Sequence, residues 1–243
     1  MRERIGDVEI IRGDCLEWLE VLRDQGVEVD AVITDPPYGI GIKTQNQFSK
    51  SKNLRISENY WDENAPAEYI DISCEMLNEG GIFVAFTAQE FAGALWQRLK
   101  DLTFNYVRWF YWVKTNPCPN PLPIYTNSVE VAVIGAKAGK KPYFGGNAVS
   151  ANYFLSGGTK SADRTDHPTQ KNLRMIRKLV RDLCPEGGLV LDPFGGSGTT
   201  AVACLIEGRR CITIERDEEY FETMRTRINR WYDSDQIRQM ELL

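Results

Sequence analysis

The chain has one histidine, and its six cysteines contain no Cys-x-x-Cys pair. The ligand spacing of a structural or catalytic zinc site is therefore missing, and no metal site is expected. The cysteines, at 15, 74, 118, 184, 204 and 211, follow no disulfide-framework spacing and read as mostly buried thiols. No apolar run approaches the roughly 20 residues that cross a bilayer, and the opening MRERIGD lacks the apolar core of a secretory leader. A cytoplasmic protein with no membrane partner is expected. Nor is there an excess of positive charge: 29 Lys and Arg face 34 Asp and Glu, for a net charge of −5. That balance argues against a protein that coats nucleic acid by neutralising phosphates. Internal repeats and low-complexity linkers are also absent, so residues 1–243 read as a single domain, and 42% apolar residues suffice for one ordinary core.

What the chain does have is a succession of short β-branched or aromatic runs. They are VEII (8–11), VDAVIT (29–34), IFVAFT (82–87), NYVRWFYWV (105–113), VEVAVIG (129–135), LVL (189–191) and CITI (211–214). Helical stripes lie between several of them, as in Leu173, Ile176, Leu179, Val180 and Leu183. Alternation of this kind predicts an α/β fold with a mostly parallel sheet, whose ligands bind beyond the carboxyl ends of the strands. Two segments depart from that scaffold. Residues 41–64 are polar and lysine-bearing, and residues 115–166 hold four alternate prolines and a Gly/Ser/Asn-rich tract with the aromatics Tyr143, Phe144, Tyr153 and Phe154. The second is expected to carry substrate specificity, with Asn147, Asn152, Lys160 and Arg164 as candidates to contact the substrate. Local charge is uneven. Between Lys160 and Arg181 seven basic residues face two acids, and Lys43, Lys50, Lys52 and Arg55 form a second basic stretch. Each reads equally well as a phosphate track or a solvated face.

The segment LVLDPFGGSGTTAVACLIEGRRCITIE reads as strand, glycine turn, helix and strand, with Glu215 closing the second strand. Gly196, Gly198 and Ala201 fit G-x-G-x-x-A, which in this context marks a nucleoside-cofactor site. No lysine follows the glycines, so an NTPase loop is excluded. Asp192 stands just before the turn, where its charge opposes a pyrophosphate but suits a sulfonium or ammonium. S-adenosylmethionine is therefore favoured, with a nicotinamide cofactor as the alternative. Asp14, after the first of the runs above, reads either as a contact to the cofactor's adenine or as a helix cap.

The stretch DPPY (35–38) ends the second of these runs. An exocyclic base amine is a poor nucleophile because its lone pair is delocalised. Asp35 and the carbonyl of Pro36 could accept its two hydrogens and localise that pair, the prolines fixing the backbone and Tyr38 stacking a base drawn out of its helix.

At this point the chain resembles the amino-methyltransferases of DNA, in the β group whose DPPY precedes the cofactor loop, a circularly permuted motif order. The likeness runs through GDCLEWL (13–19), DPPY (35–38), YWD (60–62), WVKTNPCPNP (112–121), HPTQK (167–171), DPFGGSGTT (192–200) and IERDEEY (214–220). It is similar above all to the cell-cycle-regulated adenine enzymes, which implies N6 of adenine over N4 of cytosine, where relatives more often carry serine at the Asp35 position. The resemblance implies a Rossmann-like methyltransferase fold with a seven-stranded, mostly parallel sheet and a small inserted target-recognition region at 115–166. It implies DNA as partner, frequent homodimers, and no particular endonuclease. It makes Asp35, Pro36, Pro37 and Tyr38 the catalytic segment. The cofactor residues it implies are Asp14, Asp35, His167, Thr169, Lys171, Asp192, Phe194, Gly195, Gly196, Gly198, Thr199 and Glu215. Lys43, Lys114, Asn116, Asn120, Lys160 and Arg164 are expected to face DNA. Gly39 and Asn172 depart from the family pattern without removing a reacting atom.

Overall fold

Short strand-forming runs and amphipathic stretches alternate through the computed structural model, which describes residues 1–37, 67–117, 125–147, 149–157, 165 and 170–234. In chain order these are β1 (Arg2–Ile5), β2 (Val8–Arg12), α1 (Cys15–Asp24), β3 (Val29–Thr34), α2 (Glu68–Met76), β4 (Leu77–Thr87), α3 (Ala92–Asp101) and β5 (Phe104–Lys114). There follow β6 (Val129–Lys137), β7 (Tyr153–Ser156), α4 (Leu173–Leu183), β8 (Leu189–Asp192), α5 (Thr199–Ile206), β9 (Arg210–Glu215) and α6 (Glu218–Asp233).

The strands form one sheet in the order β1-β2-β9-β8-β3-β4-β6-β5-β7. From β2 to β4 the neighbours are parallel, β6 runs antiparallel between β4 and β5, and β7 adds parallel to β5. Among the described residues the sheet thus has nine strands, two more than the seven runs suggest. β1 is RERI, a charged edge strand with only Ile5 buried, returned onto β2 through a turn at Gly6 (φ 57°). β7 is YFLS, set inside a polar tract. Neither has the uninterrupted apolar run that betrays a central strand.

Period-two alternation splits the sheet's side chains between two cores. Ala31, Ile33, Val84, Phe86 and Val190 meet α4, α5 and α6 on one face, while Val32, Phe83, Ala85 and Leu191 meet α1, α2 and α3 on the other. α5, sequence TTAVACLI, is buried from Thr199 to Cys204 because it lies between the sheet, α4 and α6.

The chain leaves β3 towards β4 on one side, whereas it leaves β8 towards β9 on the other. A crevice must open between the carboxyl ends of β3 and β8, since their connections diverge there. Asp35 and Asp192 stand at that crevice.

Candidate active site

The crevice is built from two adjacent strand ends. Val32 pairs with Leu191 in parallel register, so Thr34 and Asp192 emerge side by side. Thr34 Oγ1 donates to Asp192 Oδ1 at 2.8 Å, and the Phe194 amide donates to the same oxygen at 3.2 Å. Burial pushes the Asp192 carboxyl up to about 6 against these hydrogen bonds, with the negative Asp35 adding to the rise. Pro36 is buried and Pro37 half-buried behind Asp35.

The glycine turn is needed for close approach. Gly195 N donates to Ile214 O at 2.7 Å, and a Cβ at Gly195 would lie 2.3 Å from Thr213 Oγ1. Gly196 (φ 50°) and Gly198 (φ 75°) take the left-handed conformation that side chains resist. The Gly196 amide donates to Glu215 Oε2 at 2.7 Å and the Asp217 amide to Glu215 Oε1 at 2.8 Å. The acid closing β9 is thus turned onto the loop, and burial raises it above the ordinary carboxylate range despite those amides. Phe194 packs its ring edge-on against Tyr69 of α2, with centroids 4.9 Å apart. Asp14 caps α1, accepting from the Leu16 amide at 2.9 Å and the Glu17 amide at 3.4 Å. Its capping reading is met, beside the Gly13 amide that donates to Glu215 O at 3.0 Å.

Arg227 of α6, absent from every motif, holds the glycine turn from behind. Its Nη1 donates to Ser197 O at 2.8 Å and Thr199 Oγ1 at 2.9 Å from a position only 5% exposed. Replacing Arg227 with methionine removes both bonds and leaves the Ser197 carbonyl buried. A loss of about 2–4 kcal/mol in unfolding free energy is expected, measurable by urea titration, together with loosening of the loop.

Lys171 is buried, at 7% exposure, between two acids from different strands. Its ammonium lies 2.5 Å from Asp35 Oδ2 and 3.1 Å from Glu130 Oε2 near the start of β6, the second an ion-pair contact rather than an aligned hydrogen bond. It also lies over the Phe86 ring, 5.3 Å from its centroid. Lys114, at the end of β5, is ion-paired to Glu130 Oε1 and stands 4.8 Å from the centroid of the Trp112 ring. Burial would raise Glu130, but Lys171 and Lys114 hold it below the usual carboxylate range. Burial likewise opposes the charge on Lys171, and Asp35 and Glu130 outweigh it, keeping that ammonium above its ordinary value.

The structure brings Asp35, Pro36, Pro37, Asp192, Phe194, Gly195, Gly196, Gly198, Thr199, Lys171 and Glu215 to one end of the sheet. Tyr38, Lys43, Asn120, Lys160, Arg164, His167 and Thr169 lie outside the described residues. Lys114 has its charge engaged inside the site, and exposed Asn116 lies against Gly157. Asn147 accepts from the Val149 amide within its own turn, and Asn152 Nδ2 donates to Trp109 O. Phe154 is half-buried against the core rather than exposed. Asn172 caps α4, accepting from the Met175 amide at 3.2 Å, which accounts for one departure from the family pattern. Cys15, Cys74, Cys184, Cys204 and Cys211 are buried, and burial pushes the thiols of Cys15, Cys74 and Cys184 up to about 12, so none of those three supplies a thiolate. Thr34, Glu130 and Arg227 carry no sequence signal beyond their strand or helix positions; Lys171 had one, but its pairing with Asp35 is a property of the fold.

Known proteins resemble this chain in sequence and in fold. A family model for N6/N4 methyltransferases, described as DNA methylase, matches residues 29–226. The type II methyltransferase M2.MboI of Moraxella bovis is 26% identical over 241 residues, 90% of this chain and 86% of the relative. The crystal structure of the M1.HpyAVI–SAM complex superposes with a TM-score of 0.73 at 29% identity, covering 91% of this chain and 99% of the other. The cytosine-N4-specific PvuII DNA methyltransferase shares the fold, with a TM-score of 0.66 at 19% identity, covering 95% of this chain and 93% of the other. With the family match running from β3 into α6, the chain belongs to the N6/N4 DNA methylases.

Proposed function

We propose that the chain transfers a methyl group from S-adenosylmethionine to N6 of adenine in DNA. The observation that carries this reading is the juxtaposition of Asp35 and Asp192 on neighbouring strand ends, bridged by Thr34. One carboxylate serves a base and the other a cationic ligand, across a single crevice.

The residues present fit the methyl donor. Asp192 is a buried carboxylate suited to a cationic ligand, Glu215 is turned onto the loop where a ribose would lie, and glycines at 195, 196 and 198 leave the backbone uncovered. S-adenosylmethionine, when bound, supplies a methyl group made electrophilic by its sulfonium. The same fit disfavours a pyrophosphate, and with it the nicotinamide alternative.

Asp35 and the Pro36 carbonyl accept the hydrogens of the exocyclic amine and turn its lone pair out of the ring. Tyr38, by the family resemblance, supports the extruded ring. Aspartate at 35, where N4-cytosine relatives more often carry serine, supports adenine. Lys171 is ion-paired to Asp35 Oδ2, which leaves Asp35 in the role of a hydrogen-bond acceptor towards the amine. The proton released from the methylated amine passes to solvent.

Incubating the protein with unmethylated genomic DNA and labelled S-adenosylmethionine, then analysing nucleosides by mass, tests the assignment. N6-methyladenine is expected. N4-methylcytosine would overturn the choice of base, and no methylated nucleoside would overturn the activity.

A further inference from the structure

We propose that Glu130 is a positioning residue for methyl transfer, holding the Lys171 ammonium against Asp35 so that the carboxylate keeps one orientation towards the target amine. The proposal rests on the reading of Asp35 as the group that grips the base.

Four charges from four places in the sequence make one neutral, mostly buried row: Lys114, Glu130, Lys171 and Asp35. Trp112 pairs with Glu130 across β5 and β6, so the strand pairing itself fixes the row's origin beside Lys114. A lysine side chain has four rotatable bonds and does not hold a single geometry against one carboxylate. Lys171 is constrained at both ends of its ammonium by acids from different elements, and below by the Phe86 ring of β4. Removing the Glu130 charge takes away one of the acids that hold the Lys171 ammonium in place against Asp35, and so loosens the hold on that carboxylate.

The row has a second consequence. Lys114 belongs to the segment that resembles the family's DNA-facing loop, and Glu130 is ion-paired to both Lys114 and Lys171. It links the loop facing the substrate to the carboxylate that grips it. Among the described residues, the charged groups at Lys171 are Asp35 after β3 and Glu130 on β6, with Lys114 on β5 behind Glu130 and Asp192 on β8 beside Asp35.

Glu130→Gln keeps the side chain's shape and removes its charge. The single-turnover rate on unmethylated genomic DNA is expected to fall by about tenfold to a hundredfold, with the Kd for S-adenosylmethionine within about threefold of wild type. NMR of 13C-labelled lysine provides a reading independent of activity: in E130Q the Lys171 ammonium should titrate at lower pH than in wild type. A wild-type rate and an unshifted Lys171 titration in E130Q would overturn the proposal. If E130Q does not fold, Glu130→Asp keeps the charge while withdrawing it by one methylene. A several-fold slower rate with normal cofactor affinity then supports the positioning role, and a wild-type rate overturns it. Failure of the underlying reading looks different, since Asp35→Asn would then retain full activity whatever happens at Glu130.

Discussion

Asp35→Ala is expected to lower the rate of methyl transfer by at least 10²–10³-fold, the range seen when one preorganised hydrogen-bonding group of a transition-state site is removed. Cofactor affinity should change little, because Thr34 and the Phe194 amide hold Asp192, the Gly196 and Asp217 amides hold Glu215 and Arg227 holds the glycine turn, none of which depends on Asp35. The loss should therefore appear in the chemical step rather than in binding. Alanine also removes one of the acids paired with the buried Lys171, and unbalancing a buried pair costs about 3–5 kcal/mol. Asp35→Asn separates the two effects: it fills the same space, retains one acceptor oxygen and removes only the charge. Single-turnover methylation, calorimetric titration of S-adenosylmethionine and urea unfolding, made on both variants, give the three quantities. Near-wild-type turnover in D35A would remove Asp35 from the mechanism.

How much of this was legible in the residues follows from what kind of signal each feature leaves. The central strands were readable because VDAVIT and LVL are buried on both faces and so cannot alternate with polar residues. β1 and β7 were not, because edge strands need only half a hydrophobic pattern and RERI has almost none. The glycine turn was readable at single positions, since only glycine tolerates the contact of 2.3 Å at Gly195 or the backbone of Gly198. Asp35 and Asp192 were readable as chemistry but not as neighbours. Their adjacency comes from the pairing of β3 with β8, residues more than 150 positions apart in the chain. Glu130, Lys171 and Arg227 illustrate the same limit. A buried ion pair between strand ends leaves no spacing rule, because its partners are matched through sheet order and not through local periodicity. Lys114 shows the converse: the family resemblance puts it in a segment facing DNA, and the fold turns its charge onto Glu130.

Asp192→Asn is expected to weaken S-adenosylmethionine binding roughly tenfold to a hundredfold, in line with the loss of one charge-assisted contact, and to abolish a pH dependence that the wild type shows. The sign follows from burial. Asp192 has its carboxyl raised from 3.8 to about 6 in the folded protein, and a cationic ligand binds the ionised form. Affinity should be level above about pH 6 and fall by up to about tenfold per unit below it, until the carboxyl of the complex itself protonates. For the ligand-free protein the linkage runs the other way. A carboxyl whose folded value exceeds its unfolded value binds protons more tightly when folded, so its contribution to stability is complete below about 3.8 and is lost as pH rises through about 6. At neutral pH the ionised, desolvated Asp192 is therefore a burden of up to about 3 kcal/mol that D192N relieves. The variant should melt higher than wild type without ligand and gain less when ligand is added. Thermal melts at pH 5 and pH 7.5, with and without S-adenosylmethionine, give four values that test both signs. A D192N protein that binds as tightly as wild type at pH 7.5 would show that the cation is held elsewhere, and equal ligand-free melting of the two proteins at that pH would show that burial does not strain this carboxylate. The expected pattern places the cost of an ionised, desolvated acid at the point where the ligand's positive charge offsets it, so that stability given up by the empty site returns as affinity.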